Sequence, residues 1–268
     1  MDNKRQDPEE LLKRVQNEEL LASRGKLKIY LGAAPGVGKT YTMLQDAAAK
    51  RKQGVDIVVG VVESHGRLDI ENLLQGLEIL PRQILDYKGK MLQEFDLDLA
   101  LKRNPALILI DEMAHSNVEG LRHSKRWKDI KELLDRGIDV YTTLNVQHIE
   151  SLNDDVSAII HAPIKETVPD SMIELADTIE LIDLPPEDLL KRLQEGKVYL
   201  PEHAELAKEN FFRKGNLIAL RELALRVTAA RVGAQVLLYR QGQGIKHIWS
   251  VNEKILVCVG PGGAPGAF

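Results

Sequence analysis

A glycine-rich stretch near the start of the chain has the residue types of a phosphate-binding turn. It reads GAAPGVGKT at residues 32–40, directly after a strand-like run and directly before a helical pattern. A helix N-terminus carries unpaired N–H groups and a partial positive charge, which together attract an anion. Glycines let the backbone approach a phosphate, the lysine can reach the β- and γ-phosphates, and the threonine hydroxyl can bind Mg²⁺. We assign nucleotide binding to the residues of this turn: Gly32, Ala33, Ala34, Pro35, Gly36, Val37, Gly38, Lys39, Thr40 and Tyr41.

The turn departs from the usual pattern at one position. Glycine is expected five residues before Gly38, where this chain has Ala33, with Gly32 one residue earlier. Alanine is allowed if φ is negative there, because only a positive φ demands glycine. The alternative is an ordinary strand-to-helix turn, which the order of strand, turn, GKT and helix disfavours.

An acidic pair follows a second apolar run. ILIDE at residues 108–112 ends in Asp111, which can bind the Mg²⁺ water shell, and Glu112, which can orient or deprotonate an attacking water. An acidic strand end that faces solvent is the alternative. Beside GKT, the pair indicates MgATP or MgGTP, and we favour ATP because no guanine-reading NKxD motif is present. We assign Thr40 and Asp111 to the metal and a catalytic role to Glu112.

Polar residues follow other predicted strands as well. Glu63 comes after the second strand, and Asn145 after the fourth, where each can position water or contact the γ-phosphate. Capping of the following helix is the alternative role for Asn145. Further polar residues at these strand ends are Ser64, His65, Arg67, His115, Ser116, Asn117 and His148.

Basic residues form two clusters, RHSKRWK at residues 122–128 and a series that begins at Arg213. One of these arginines can neutralise charge that develops on the γ-phosphate, in cis or from a partner chain. A solvated helix face is the competing interpretation. We assign Arg213 as a catalytic candidate, because FFRKGN lies at a predicted helix junction.

Apolar runs alternate with helical patterns from residue 25 to residue 185, which predicts a mostly parallel sheet. Both motifs then lie at the carboxyl ends of strands, where ligands of such sheets bind. The predicted fold class is α/β, a P-loop NTPase-like, mostly parallel sheet flanked by helices, with a C-terminal helical extension. The principal strands are Leu27–Leu31, Ile57–Val62, 107–110, Val140–Leu144 and Ile179–Ile182, and a short one can form at Ile84–Tyr87. The predicted helices are 7–23, 39–53, 94–103, 124–136, 147–160, 186–196, 202–212 and 216–239.

The pattern changes along the chain in a way that predicts four segments. They are an N-terminal helix (1–24), the nucleotide-binding core (25–185), a helical extension (186–244), and a linker or the start of a further domain (245–268). The last segment holds two short predicted strands, 246–251 and 254–259, before a Gly/Pro-rich tail.

Composition excludes several classes of protein. Lys+Arg 36 against Asp+Glu 40 gives a net charge of −4, which argues against a dedicated nucleic-acid binder. The single cysteine, Cys258, allows neither an internal disulfide nor a zinc ribbon. No segment has the apolar length of a signal peptide core or a membrane span, so we expect a soluble, cytoplasmic chain.

Taken together, these residues resemble the N-terminal cytoplasmic region of the KdpD family, bacterial sensor histidine kinases that control potassium uptake. The similarity covers about residues 25–230 in order, and the family also has a small residue at the position of Ala33. The matching segments are GKLKIYLGAAPGVGKT, IVVGVVESHGR, EFDLDLAL, PALILIDEMAHSN, HSKRWKDIKELLDRGIDVYTTLNVQHIESLND, ETVPD, LIDLPPEDLLKRLQEGKVY and FFRKGNLIALRELALR.

The resemblance implies a regulatory ATP-binding module that precedes a universal-stress-protein-like domain, four transmembrane helices and a histidine kinase core. ILVCVG at 255–260 resembles the first strand of that stress-protein-like domain. The implied partners are the rest of the sensor kinase, its response regulator and the potassium-pump subunits, without nucleic acid and with membrane contact only through the transmembrane region. The phosphoacceptor histidine and the kinase ATP lid are absent from this chain, so histidine autophosphorylation is not expected of it.

Three functions stay open. In the regulatory one, MgATP orders the segments 63–67 and 112–123. In the catalytic one, a protein serine/threonine-type phosphotransferase or slow ATPase acts on the potassium pump, with Glu112 as base and Arg122, Arg126 or Arg213 stabilising charge. The third, a DNA-linked ATPase of the recombinase type, is disfavoured by the negative net charge.

Overall fold

The computed structural model describes residues 23–64, 66–198 and 211–243. The chain divides into two compact units, Met1–Ala230 and Arg231–Phe268, and the described residues of the second, 231–243, are helical. Several predicted features lie outside the described residues: the helix over 7–23 except Ser23, most of the helix over 202–212, both strands after residue 245, and Cys258. The predicted domain boundaries therefore stay predictions.

The first unit is organised by a parallel sheet and a separate hairpin. The strands are β1 (Leu27–Gly32), β2 (Ile57–Val61), β3 (Glu78–Ile79), β4 (Gln83–Tyr87), β5 (Lys90–Glu94), β6 (Leu107–Ile110), β7 (Asp139–Asn145) and β8 (Thr178–Ile182). Six of them pair in the order β3-β2-β6-β7-β1-β8, and every pairing in this sheet is parallel. Strands β4 and β5 form an antiparallel pair of their own. The predicted α/β class is confirmed.

Helices connect the parallel strands, as crossover connections require. They are α1 (Lys39–Lys52), α2 (Leu68–Leu74), α3 (Leu97–Arg103), α4 (Arg126–Asp135), α5 (Asn153–Ile160), α6 (Asp170–Leu175), α7 (Pro186–Gln194) and α8 (Lys214–Gln243). Two 3₁₀ turns, Val146–His148 and Glu150–Leu152, precede α5. None of the described helices is both long and apolar enough to cross a membrane.

The sheet is buried on both faces, which explains the continuous apolar runs of its central strands. Along β1, Leu27, Ile29 and Leu31 pack into one hydrophobic cluster, whereas Tyr30 packs into the cluster on the opposite face. All four residues of β6 are buried. The strand ends that carry polar residues are therefore held by a rigid, well-packed sheet.

Two predicted helices begin later than expected, because the first backbone groups of each predicted helix form hydrogen bonds with another segment of the chain. The helix predicted over 147–160 starts at Asn153, since the backbone groups of His148 and Glu150 bond to Val168 at 2.7 and 3.0 Å. The helix predicted over 124–136 starts at Arg126, since Lys125 pairs with Ser116 in an isolated bridge.

The helix predicted over 94–103 begins three residues later than expected, at Leu97. Glu94 is the last residue of β5, and the helix begins only after Asp96, whose carboxylate accepts a hydrogen bond from the Leu99 N–H at 2.9 Å. The short strand expected at Ile84–Tyr87 is present, but it pairs with β5 and does not join the main sheet. The elements β3, β5, α2 and α6 were not predicted.

Candidate functional site

The strand register brings the predicted motifs to one edge of the sheet. Gly32, at the end of β1, pairs with Asn145 at the end of β7. On the other side of β7, Ile110 pairs with Thr142, so the carboxylate pair follows at the same edge. Strand β7 thus separates the glycine-rich turn from the carboxylates and contributes polar residues between them.

The glycine-rich turn has the backbone that its sequence predicts. Gly36 and Gly38 have φ values of 86° and 112°, which L side chains rarely adopt. Ala33 is not among the positive-φ residues, as expected from its type. A Cβ would also clash at Gly32, where it would come within 2.6 Å of Val37 Cγ2, and at Gly36, where it would come within 2.5 Å of Val198 Cγ2.

The N–H groups of this turn are available for an anion. Among the described residues, no acceptor bonds the backbone N–H groups of residues 36–41, and the first backbone hydrogen bond at the helix start runs from the Thr42 N–H to Gly38 O at 3.0 Å. Two carbonyls of the turn, those of Gly36 and Val37, accept hydrogen bonds from Arg192 Nη1 at 3.2 and 3.5 Å. A run of unpaired N–H groups at a helix start is a phosphate-binding arrangement.

The ammonium group of Lys39 is buried within the turn that precedes it. Its Nζ donates to Ala34 O at 3.0 Å and to Asn145 Oδ1, and the residue is 8% exposed. Burial lowers the pKa of Lys39 to about 8, a change that Asp111 and Glu112 oppose and Arg67 reinforces. The side chain of Asn145 makes no capping hydrogen bond, which disfavours the capping alternative, and its Oδ1 instead accepts from Lys39.

The Asp111 carboxylate accepts hydrogen bonds from two threonine hydroxyl groups, one on helix α1 and one on strand β7. Thr40 Oγ1 donates to Asp111 Oδ2 at 3.0 Å, and Thr143 Oγ1 donates to Oδ1 of the same carboxylate. The side chains of Thr40 and Asp111 offer only oxygen atoms, which is the donor type that Mg²⁺ prefers, and Mg²⁺ commonly keeps several waters. The residues therefore fit the metal that the sequence predicts.

Glu112 has a strained backbone next to this carboxylate. Its φ is 55°, and its N–H donates to Thr143 Oγ1 at 3.1 Å. A non-glycine residue in this region costs on the order of 1–3 kcal/mol and is common at functional sites. Desolvation within the cleft, followed by the charge of Asp111, raises the pKa of Glu112. The side chain itself stays accessible to solvent.

A buried ion network supports the carboxylate pair from behind. Arg126 donates through Nη1 to Asp111 O at 3.1 Å and through Nη2 to Glu94 Oε2 at 3.4 Å. Glu94 also contacts His115 Nε2 at 3.0 Å and accepts from the Val118 N–H at 3.3 Å. The carboxylate of Glu94 thus joins the hairpin to the segment that follows Asp111.

We expect Glu94→Gln to lower the free energy of unfolding by about 3 kcal/mol, because breaking a buried ion pair leaves the buried Arg126 charge uncompensated. Chemical denaturation measures this change. The control is Lys131→Ala, which removes an exposed ion pair with Asp135 and should change the stability by less than about 0.5 kcal/mol. An equally small change for Glu94→Gln would contradict the network.

A cleft of about 390 Å³ unites these groups. The predicted site residues that line it are Pro35, Gly36, Gly38, Lys39, Thr40, Glu63, Asp111, Glu112 and Asn145. It is further lined by Arg67, Ala114, His115, Thr143, Leu144, Gln147, His148 and Glu166. Most of the predicted polar residues therefore share one cavity.

Some predicted residues lie elsewhere. Arg213 is exposed and does not line the cleft, so its position does not support a catalytic role. Tyr41 is 38% exposed, and its hydroxyl accepts from Gln45 Nε2 at 3.1 Å. Gly32, Ala33, Ala34 and Val37 shape the turn without lining the cavity.

Several polar residues at the site were not assigned from the sequence, and three of them make informative contacts. Thr143 bonds the Asp111 carboxylate, Glu94 holds the supporting network, and Glu166 accepts from the Ser116 N–H at 2.7 Å. Thr143 had a usable signal, because in a strand it shares a face with Asn145 two residues later. Glu94 and Glu166 come from segments that are distant in sequence and carried no such signal.

Comparison with known proteins identifies relatives over most of the chain. A family model described as KdpD, the osmosensitive K⁺ channel His kinase sensor domain, matches residues 23–232. The sensor protein KdpD of Escherichia coli K12 is 56% identical over 256 residues, and that of Clostridium acetobutylicum is 52% identical over 256 residues. These alignments cover 96% of this chain but 28% of each relative. A putative sensor protein KdpD of Synechocystis is 44% identical over 88% of this chain and 63% of the relative.

Proposed function

The chain belongs to the KdpD sensor-domain family, and from that premise we propose that it is an ATP-binding regulatory module of a potassium-responsive sensor kinase. MgATP binds in the cleft, and the occupied cleft changes how the module contacts the rest of the sensor. The partners in this proposal are the remainder of the kinase and its response regulator. The module acts on the cytoplasmic side of the membrane, where ATP is available.

One observation carries the nucleotide proposal. The buried Lys39 and the turn residues Gly36, Gly38 and Thr40, whose N–H groups have no acceptor among the described residues, line the same cleft as Asp111. A site with cationic donors on one side and a carboxylate with a hydroxyl on the other suits a phosphate chain that carries a divalent cation. Bound Mg²⁺ would neutralise phosphate charge there, held by Thr40 and Asp111.

The remaining residues have roles that follow from their contacts. Asn145 holds the Lys39 ammonium toward the turn, and Thr143 orients the Asp111 carboxylate. Glu112 has a raised pKa and lines the cleft. In this proposal it orients a nucleophile that attacks the terminal phosphate, or accepts a proton from it. ATP is favoured over GTP because the sequence has no guanine-reading motif.

We expect MgATP affinity to be constant up to about pH 7.5 and to fall above pH 8, by up to about tenfold per pH unit. The protonated Lys39 binds the phosphates, and its pKa in the folded protein is about 8, below the ordinary value of 10.5. The unfolded chain then binds more protons between these values, so the stability of the free protein rises over the same range.

Calorimetry at several pH values tests this behaviour. At pH 8, binding should take up a fraction of a proton, detected by comparing buffers with different ionisation enthalpies. If the MgATP affinity stayed constant to pH 9.5 and binding took up no proton, the protonated form of Lys39 would not be required for binding, which would contradict this prediction.

A phosphotransferase or slow ATPase that acts on the potassium pump is the second candidate. The observation that favours it is that Glu112, a candidate base, lines the cleft together with the polar residues Gln147, His148 and Glu166, which could contact an acceptor hydroxyl. Incubating the protein with γ-labelled ATP and pump subunits separates the two functions. Label on the pump supports transfer, whereas slow ADP release without protein-bound label supports regulation.

A further inference from the structure

Arg67 is the arginine that the fold brings to the phosphate cleft. It follows β2, immediately before α2, and lines the same cavity as Lys39 and Asp111. The parallel sheet places β2 on one side of β6 and β7 on the other. Arg67 therefore approaches the carboxylates from the side opposite to the glycine-rich turn.

The guanidinium of Arg67 has only backbone carbonyls as partners. Its Nε donates to Ser64 O at 3.2 Å and its Nη2 to Glu63 O at 3.5 Å. Within the described residues, no carboxylate lies within ion-pair distance of it. The nearby Glu63 carboxylate binds Arg82 at 2.6 Å instead.

Arg192 also donates only to backbone carbonyls among the described residues, those of Gly36 and Val37, but it does not line the cleft. Three other arginines have carboxylate partners. Arg126 pairs with Glu94, Arg122 with Asp98 and Glu132, and Arg82 with Glu63. Among the arginines of the described residues, Arg67 alone lines the cleft. The positive charge of Arg67 therefore lies at the cleft without a carboxylate counter-ion among the described residues, so it is available to a bound anion.

Lys39 and Arg67 face one cavity from two sides, and like charges in a confined space repel. An anion between them removes that repulsion and forms strong, charge-assisted hydrogen bonds with both. The two long bonds of Arg67 to backbone carbonyls are neutral-acceptor contacts that a phosphate oxygen would readily replace.

We propose that Arg67 binds the terminal phosphate of the nucleotide from within the same chain and so distinguishes the triphosphate from the diphosphate. This inference rests on the proposed MgATP site. It assigns the role to Arg67 in place of Arg122, Arg126 and Arg213. Because Arg67 directly precedes α2, loss of the terminal phosphate releases its side chain to the carbonyls of residues 63–64 and changes the start of that helix.

The test compares the affinities of Arg67→Gln for MgATP and MgADP by calorimetry, with Arg136→Gln, an exposed arginine, as the control. Arg67→Gln should weaken MgATP binding about twentyfold and leave MgADP binding within about twofold. Arg67→Lys should recover part of the loss, and thermal unfolding checks that both variants fold. Equal weakening of both nucleotides, or no weakening, would overturn the assignment. Absence of nucleotide binding by the unmodified protein would instead refute the proposed function.

An equimolar mixture of Lys39→Met and Arg67→Gln chains tests whether Arg67 acts in cis. The Arg67→Gln chain keeps an intact glycine-rich turn, and the Lys39→Met chain keeps Arg67. If the arginine came from a partner chain, the mixture would regain high-affinity MgATP sites. Our assignment predicts only the weak binding of Arg67→Gln, and recovered affinity would overturn the same-chain origin.

Discussion

Replacement of Lys39 with methionine is expected to weaken MgATP binding by at least about a hundredfold, which corresponds to roughly 3 kcal/mol. The Nζ atom is the cation that the turn presents to the phosphates, and methionine removes its charge while keeping an unbranched side chain of similar length. Calorimetric titration of MgATP into the wild type and Lys39→Met measures the loss. Affinities within threefold of each other would show that Lys39 does not bind the ligand.

The same substitution should not lower the stability of the free protein. The pKa of Lys39 is about 8 because burial disfavours the charged form. Holding that charge at pH 7 therefore costs stability, on the order of 3 kcal/mol, which methionine removes in part. A melting temperature equal to or above that of the wild type separates loss of binding from loss of fold.

Asp111→Asn is expected to remove the Mg²⁺ dependence of nucleotide binding. In the wild type, Mg²⁺ should strengthen ATP binding by about thirtyfold, whereas in the variant ATP should bind equally with and without the metal. Asparagine keeps the size of the side chain; its oxygen can accept from one threonine hydroxyl and its NH₂ can donate to the other, so the fold is preserved. Titrations with MgCl₂ and with EDTA measure the difference.

Asp135→Asn is the matched control, because Asp135 is an exposed carboxylate paired with Lys131 on the surface. It should keep the Mg²⁺ effect of the wild type. A Mg²⁺ effect of unchanged size in Asp111→Asn would remove Asp111 from the metal site, even if the nucleotide still bound.

The two main motifs could be predicted because their chemistry is local. GAAPGVGKT joins a strand to a helix within nine residues, and the backbone angles of Gly36 and Gly38 follow directly from that connection. ILIDE is a buried strand with its carboxylates at the end, which the observed β6 confirms. Parallel pairing then places both motifs at one edge of the sheet.

The ends of helices were less predictable where their backbone groups form hydrogen bonds with a segment that is distant in sequence. The residues 147–152 have a helical pattern, but Val168 bonds to the backbone of His148 and Glu150 and prevents an α-helix there. The sequence around Glu94 has a helical pattern, but Glu94 is the last residue of a hairpin strand and binds Arg126. Such pairings connect residues far apart in sequence and leave no local pattern.

The arginine that lines the cleft could not be identified from the sequence either. Arg213 was chosen for its place at a predicted helix junction, and it lies outside the cleft. Arg67 was noted only as one polar residue among several after the second strand. Its significance comes from the sheet order, which sets β2 beside β6, and from the absence of a carboxylate partner among the described residues. Neither is visible in composition or spacing.

Calorimetric titration of MgATP into the unmodified protein, with MgGTP titrated in parallel, shows whether the cleft binds a nucleotide. We expect one saturable site per chain, weaker binding of MgGTP, and loss of affinity when EDTA removes the metal. Absence of saturable heat with millimolar MgATP, in a protein that thermal unfolding shows to be folded, would contradict the claim that this cleft is a nucleotide site.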